Sequence, residues 1–270
     1  MTKNVILITG ASAGIGRACA ELLSANGWTV VGASRRGTSG SSWRGVVMDV
    51  DDAMSVTSAV EQVVADHGRL DAMLACAGWG LAGAVENTPI SDAKAQFETN
   101  FWGSVRAVQS TLPFMRENGG GRIVLMSSIG GVIGIPFQAF YSASKFALEG
   151  YAESLAYEVE PFNISVTLVE PGNFTTDFTV SRRVVAAPDE DPYAVATKRA
   201  IEVMERDEVN GADPRDVAAT VSRVLSSARP ARRVSVGKFD ERVGVIAKRL
   251  MPFKLFEASA RSSLGVAKKA

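Results

Sequence analysis

Short runs of consecutive apolar residues recur at 5–9, 29–33, 45–48, 70–75, 122–127, 165–169 and 233–236. Between them, at 14–26, 52–66, 91–117, 139–160 and 214–227, apolar positions repeat with the roughly 3.6-residue period of a helix. Strands that are apolar on successive rather than alternate residues fit a parallel sheet covered on both faces. The alternation of strand and helix therefore predicts an α/β fold, a doubly wound (Rossmann-type) sheet of about seven parallel strands with helices on both faces. No internal repeat, low-complexity tract or linker divides the chain, so one domain is expected over 1–237.

Two stretches depart from this rhythm. Across 171–208 about forty residues pass with only a weak helical pattern near 193–207, and an insertion after a strand of such a sheet is expected to cover a ligand. Residues 238–270 form a basic amphipathic tail with eight Lys/Arg against Asp240, Glu241 and Glu257, and with Val243, Ile246, Ala247 and Leu250 at helical spacing. Three placements are open for it: over the pocket, at a dimer contact, or on a lipid surface. The first two are favoured, because an amphipathic helix more often packs on its own protein.

Composition narrows the function classes. The 270 residues can bury a sizeable core, and 29 basic against 29 acidic residues leave no net field to attract nucleic acid. Cys19 and Cys76 lack CxxC or metal-ligand spacing, so a reducing compartment and no metal are expected. The N-terminus lacks the apolar region of a signal peptide, and no run approaches the roughly 18 to 20 apolar residues of a membrane span. A cytoplasmic protein is expected, with peripheral membrane contact of the tail left open.

The loop Thr9-Gly10-Ala11-Ser12-Ala13-Gly14-Ile15-Gly16 follows the first strand and opens a helix. In that context Gly10 permits a tight turn, Gly14 a close approach to a pyrophosphate and Gly16 helix packing, while the helix N-terminus supplies N–H donors. The second strand ends in Arg35-Arg36, where an acidic residue would pair with a ribose 2′-hydroxyl. Arginine can instead grip a 2′-phosphate through charge-assisted bonds, so the expected cofactor is NADP(H). Asp49, followed by Val50, either accepts from the adenine amino group or caps the helix starting near Asp52.

Tyr141 and Lys145 stand four apart at the start of a helix and share one face. Of the four tyrosines only Tyr141 has a lysine so placed. A phenol working near neutrality needs about 4 kcal/mol of phenolate stabilisation, which a nearby ammonium can supply. Ser128, thirteen residues before Tyr141, can donate to a substrate oxygen, with Ser127 the competitor because neighbouring strand residues face opposite ways. The single histidine, His67, reads as part of a helix C-terminus beside Gly68, which argues against Ser/His/Asp hydrolysis.

With these residues assembled, the chain resembles the short-chain dehydrogenase/reductase family from Lys3 to about Val236. Gly10, Gly14 and Gly16 match its TGxxxGxG loop, Tyr141 and Lys145 its YxxxK pair, Ser128 its substrate-polarising serine, and Asn100 its helix-kinking asparagine. The resemblance implies that Tyr141 moves the proton, Lys145 lowers its pKa and holds the nicotinamide ribose, and Asn100 helps hold a relay water. It further implies that Pro171, Gly172 and Thr176 flank the nicotinamide carboxamide and that Ala77 and Gly78 lie by the adenosine ribose. The stretch from Tyr141 to Gly150, with Glu170-Pro171-Gly172, is similar to the branch of 17β-hydroxysteroid and retinol dehydrogenases. Where the family usually has Asn-Asn-Ala-Gly, this chain has Ala75-Cys76-Ala77-Gly78, so one side-chain hydrogen bond to the backbone is expected to be missing.

The expected reaction is hydride transfer between nicotinamide and a carbonyl or secondary alcohol of a small apolar molecule, steroid-like or retinoid-like. Trp79, Phe137, Phe140, Phe174 and Phe178 either line that pocket or belong to the core. A homodimer or homotetramer is expected. The rival reading is a non-catalytic NADP(H)-binding sensor or scaffold of the same fold. A nucleotide-sugar epimerase would need a larger substrate domain.

Overall fold

The computed structural model describes residues 4–263, so Lys3 and the last stretch of the tail, 264–270, lie outside the described residues. The chain builds β1 (Val5–Thr9), α1 (Gly14–Ala25), β2 (Thr29–Ser34), β3 (Arg44–Val47), α2 (Ala53–His67), β4 (Ala72–Ala75), β5 (Leu81–Ala82), α3 (Ile90–Phe97) and α4 (Gly103–Glu117). It continues through β6 (Gly121–Met126), α5 (Ala139–Val159), β7 (Ile164–Pro171), α6 (Phe178–Ser181), β8 (Arg183–Val184), α7 (Ala194–Val209) and α8 (Pro214–Ser226). The last elements are β9 (Arg233–Val236), α9 (Phe239–Leu250) and α10 (Phe253–Ser263).

Seven strands form one parallel sheet in the order β3-β2-β1-β4-β6-β7-β9, as the apolar runs predict. Along β1, Val5 and Leu7 enter one core, with Val56, Val60, Val108, Leu148 and Leu155 from α2, α4 and α5. Ile6 and Ile8 enter the opposite core, with Cys19, Leu23, Val217 and Val221 from α1 and α8. A strand buried on both faces needs an apolar residue at every position, and that produced the uninterrupted runs. The chain runs outward from β1 to β3 and then crosses back to β4, so the carboxyl ends of β1 and β4 open a crevice where the order reverses.

Three features differ from the periodicity reading. The predicted helix over 91–117 is broken by a π-helical turn at Glu98–Trp102, between α3 and α4. A second sheet pairs β5 with β8, two residues each and too short to signal themselves. The apolar stripe expected to pack the tail is turned outward: Val243, Ile246 and Leu250 are exposed, and α9 buries Val245 instead. The polar anchor below accounts for that reversal.

Candidate active site

The crevice is a cleft of about 1200 Å³, larger than the ~300–1000 Å³ of common small-ligand sites. One end is walled by the glycine loop. Gly10 has φ +72, and a Cβ there would lie 2.9 Å from the Ala77 Cα, so the loop after β1 and the loop after β4 can touch only through glycine. A Cβ on Gly16 would lie 2.3 Å from the Gly10 carbonyl oxygen. Ala13, at the N-cap of α1, offers no side-chain cap, so the first N–H groups of the helix are left for a ligand in the cleft. Ser12, Gly14 and Ile15 line the same wall.

Arg35 and Arg36 line the cleft beyond this loop, exposed and outside any ion pair among the described residues. Asp49 and Val50 line it after β3. The helix cap goes to Asp52, whose carboxylate accepts the Met54 N–H at 2.9 Å, and Asp49 accepts the Asp51 N–H at 3.1 Å. Ala77 and Gly78 face the cleft as well. The loop that lacks the family's first asparagines is held from across the sheet: the Thr9 hydroxyl accepts from the Cys76 N–H at 3.0 Å and the Ala77 N–H at 3.1 Å.

At the far end stand the chemistry-bearing residues. Ser128, Tyr141 and Lys145 are all buried and all line the cleft. The Ser128 hydroxyl accepts the Gly130 N–H at 3.0 Å and donates to the Pro171 carbonyl at 3.4 Å, and it stands within hydrogen-bond reach of the Tyr141 phenol. Ser127 turns the other way, against Gly131 and the Glu149 carboxyl. Burial pushes the Tyr141 phenol above its ordinary range, and the hydrogen bond with Ser128 partly offsets this, followed by opposed effects of Glu208 and Arg182.

Lys145 lines the same cleft as Tyr141, one turn further along α5, and its head is held by a backbone carbonyl. Its Nζ donates to the Met126 carbonyl at 2.8 Å and sits 6.0 Å from the centroid of the Tyr141 ring. Burial lowers its pKa to about 8, against the raising effects of Cys76 and Glu149. Among the groups that bring the phenol down, the Ser128 hydroxyl leads.

Asn100 does not reach the cleft. It is fully buried in the π-helical turn, where its Oδ1 accepts the Trp79 N–H at 3.0 Å and its Nδ2 donates to the Trp79 carbonyl at 3.1 Å and to Ser144 at 3.3 Å. A carboxamide so committed fixes the Gly78-Trp79 loop. It also reaches the back of the cleft wall, since a Cβ on Gly78 would meet its Oδ1 at 3.0 Å.

Pro171, Gly172 and Thr176 edge the cleft after β7. Of the five aromatics, Trp79, Phe174 and Phe178 line it, whereas Phe137 and Phe140 do not. Phe137 has φ +60, and its carbonyl accepts the Gly83 N–H at 2.8 Å, an anchor just before α5. Sequence reasoning missed Ile129, Ile133, Ile135, Met204 and Phe256, apolar residues that the fold brings to the substrate end from distant segments. It also missed the ion pair of Arg182 with Glu208, buried behind Phe178.

The tail closes this end through a carboxylate. Glu241 accepts from the Asn173 N–H at 2.9 Å and side chain at 2.8 Å, and from the Lys238 N–H at 2.8 Å. Its head lies where a Cβ on Gly172 would fall, so α9 docks on the loop after β7 through a polar anchor. Lys248 adds a contact over the Phe146 ring at 5.1 Å.

A cleft with a glycine-lined wall and unpaired helix N–H donors at one end, and a buried Ser/Tyr/Lys group at the other, suits a dinucleotide with a small substrate beside it. Comparison with known proteins agrees. The short chain dehydrogenase family model matches residues 4–185. The chain is 40% identical over 264 residues to a 3-ketodihydrosphingosine reductase of Bacteroides thetaiotaomicron, covering 97% of this chain and 98% of that one. It is 39% identical over 173 residues to retinol dehydrogenase 8 of Bos taurus, covering 62% of this chain and 55% of that protein. A crystal structure of a short-chain dehydrogenase from Streptomyces avermitilis superposes with a TM-score of 0.81 at 31% identity, over 97% and 98% of the two chains. The chain belongs to the short-chain dehydrogenase/reductase family of oxidoreductases and resembles its retinol and steroid dehydrogenase branch.

Proposed function

We propose that the chain is an NADPH-dependent reductase of a ketone on a long apolar molecule, of the 3-keto sphingoid base class. The observation that carries this reading is the buried Ser128–Tyr141 hydroxyl pair at the apolar end of the cleft, in a chain resembling the Bacteroides reductase over nearly its whole length. When bound, the reduced nicotinamide supplies hydride to the carbonyl carbon. Gly10, Gly14, Gly16 and the N-terminus of α1 would hold the pyrophosphate, Arg35 and Arg36 the 2′-phosphate, Asp49 the adenine, and Lys145 the nicotinamide ribose.

Ser128 donates to the substrate oxygen and orients it. Tyr141 gives that oxygen its phenolic proton as the carbonyl becomes an alcohol. A phenol held above its ordinary pKa is protonated at neutral pH, which suits the reductive direction. Ile133, Ile135, Phe178 and Met204 offer an apolar wall to a hydrocarbon chain, and the 171–208 insertion covers it.

The test is loss of reduced-nicotinamide absorbance with micellar 3-ketodihydrosphingosine, run with NADPH and with NADH. We expect NADPH to be preferred by roughly tenfold or more in kcat/KM, and Arg35→Ser/Arg36→Ser to remove that preference. Equal use of both cofactors would overturn the phosphate assignment. Turnover of small apolar ketones but not of the sphingoid ketone would overturn the substrate class.

A further inference from the structure

The outward face of α9 has no partner within the described residues. Phe239, Val243, Ile246 and Leu250 are 81%, 42%, 57% and 79% exposed. At about 100° per residue these positions fall within an arc of roughly 60°, one continuous apolar ridge. Met251 and Leu255, 38% and 60% exposed, extend it past the end of the helix.

Charge flanks this ridge asymmetrically. Arg242 and Arg249 border it on one side, Lys238 and Lys254 stand exposed at its ends, and none of the four is in an ion pair among the described residues. The acids of the segment are mostly withdrawn: Glu241 is bound to the Asn173 and Lys238 backbone, and Glu257 is paired with Arg261 at 2.7 Å. Asp240 is left exposed. The sequence beyond the described residues adds Lys268 and Lys269. An apolar ridge bordered by unpaired cations is complementary to an anionic bilayer surface, where the ridge enters the acyl boundary and the cations meet headgroup phosphates.

The opposite side of the same helix faces the cleft. Lys238, Glu241 and Gly244, with Phe256 and Ser259 of α10, line its rim. We infer that α9 docks the protein on the surface of an anionic phospholipid bilayer through Phe239, Val243, Ile246 and Leu250, with Arg242 and Arg249 on the headgroups. The mouth of the cleft is then held beside the membrane. This inference does not rest on the proposed reaction, because docking is read without substrate.

The experiment is co-sedimentation of the full chain with phosphatidylcholine vesicles, with and without phosphatidylserine. We expect binding to the phosphatidylserine vesicles that weakens as salt is raised. Phe239→Ser/Leu250→Ser should reduce it at least tenfold. Arg242→Gln/Arg249→Gln should reduce it by roughly thirtyfold and remove most of the advantage of phosphatidylserine. Both variants should keep the wild-type circular-dichroism spectrum and melting temperature, which shows that they fold. Failure of the wild-type chain to sediment, or wild-type binding by the serine variant, would overturn the inference. So would concentration-dependent self-association lost in the serine variant without vesicle binding, since a second copy would then own the face.

Discussion

Lys145 should cost the fold stability that its chemistry requires, and removing its charge should return part of it. The side chain is 6% exposed, and burial takes its pKa from an ordinary 10.5 to about 8. A displacement of that size means the charged form is disfavoured in the folded state by about 3 kcal/mol. Below pH 8 folded and unfolded chains both carry the proton, so the whole penalty is present at pH 7. Between pH 8 and 10.5 the unfolded chain binds more protons than the folded one, so stability rises with pH across that window.

Lys145→Met keeps the length of the side chain but loses the 2.8 Å bond to the Met126 carbonyl, worth about 1 kcal/mol. The net gain at pH 7 is about 2 kcal/mol, a rise in melting temperature of roughly 4–8 °C. At pH 10 the folded wild-type lysine is already neutral, and the advantage of the variant should nearly vanish. Thermal melts of both proteins at the two pH values measure this directly. A variant less stable than wild type at pH 7, or an advantage independent of pH, would refute the claim that burial sets the state of this lysine.

Other consequences are as direct. Thr9→Val removes the acceptor shared by the Cys76 and Ala77 N–H groups at a buried position and should cost about 2–3 kcal/mol in urea unfolding, with Thr9→Ser close to wild type. Gly16→Ala sets a methyl 2.3 Å from the Gly10 carbonyl and should cost roughly 1–3 kcal/mol, with NADPH affinity by calorimetry falling at the same time. Because burial raises the Tyr141 pKa, ketone reduction should hold through neutral pH and decline only where the phenol ionises, while alcohol oxidation should climb over that same alkaline range. Initial rates in both directions against pH would check this.

How much could be read beforehand depended on how local each signal was. The sheet was legible because β1, β4, β6 and β7 are buried on both faces, which forces apolar residues at successive positions. Tyr141 and Lys145 were legible because one turn of α5 fixes their relation, and the glycine loop because its spacing serves backbone contacts. The π-helical turn at Glu98–Trp102 was invisible to the apolar periodicity over 91–117, which one extra residue in a turn hardly disturbs, and only the helix-kinking asparagine matched at Asn100 pointed to it. The direction of the lysine was not legible, because the Met126 carbonyl that accepts its hydrogen bond lies at the end of β6, far from α5 in sequence. The tail reaches the cleft, one of the placements its amphipathic pattern left open, but it is seated by the Glu241 carboxylate and Gly244 rather than by its apolar stripe, which no local signal could show.

The central claim is that the Tyr141 phenol, aligned by Ser128, is the proton donor to a carbonyl in this cleft. Tyr141→Phe removes one oxygen and leaves the ring that packs edge-on to Phe178 at 5.8 Å. Turnover with NADPH and the ketone should be measured beside NADPH affinity. We expect kcat to fall by about 10²–10⁴ with affinity within about threefold of wild type. Turnover within a few fold of wild type, with the fold and the cofactor affinity intact, would contradict it.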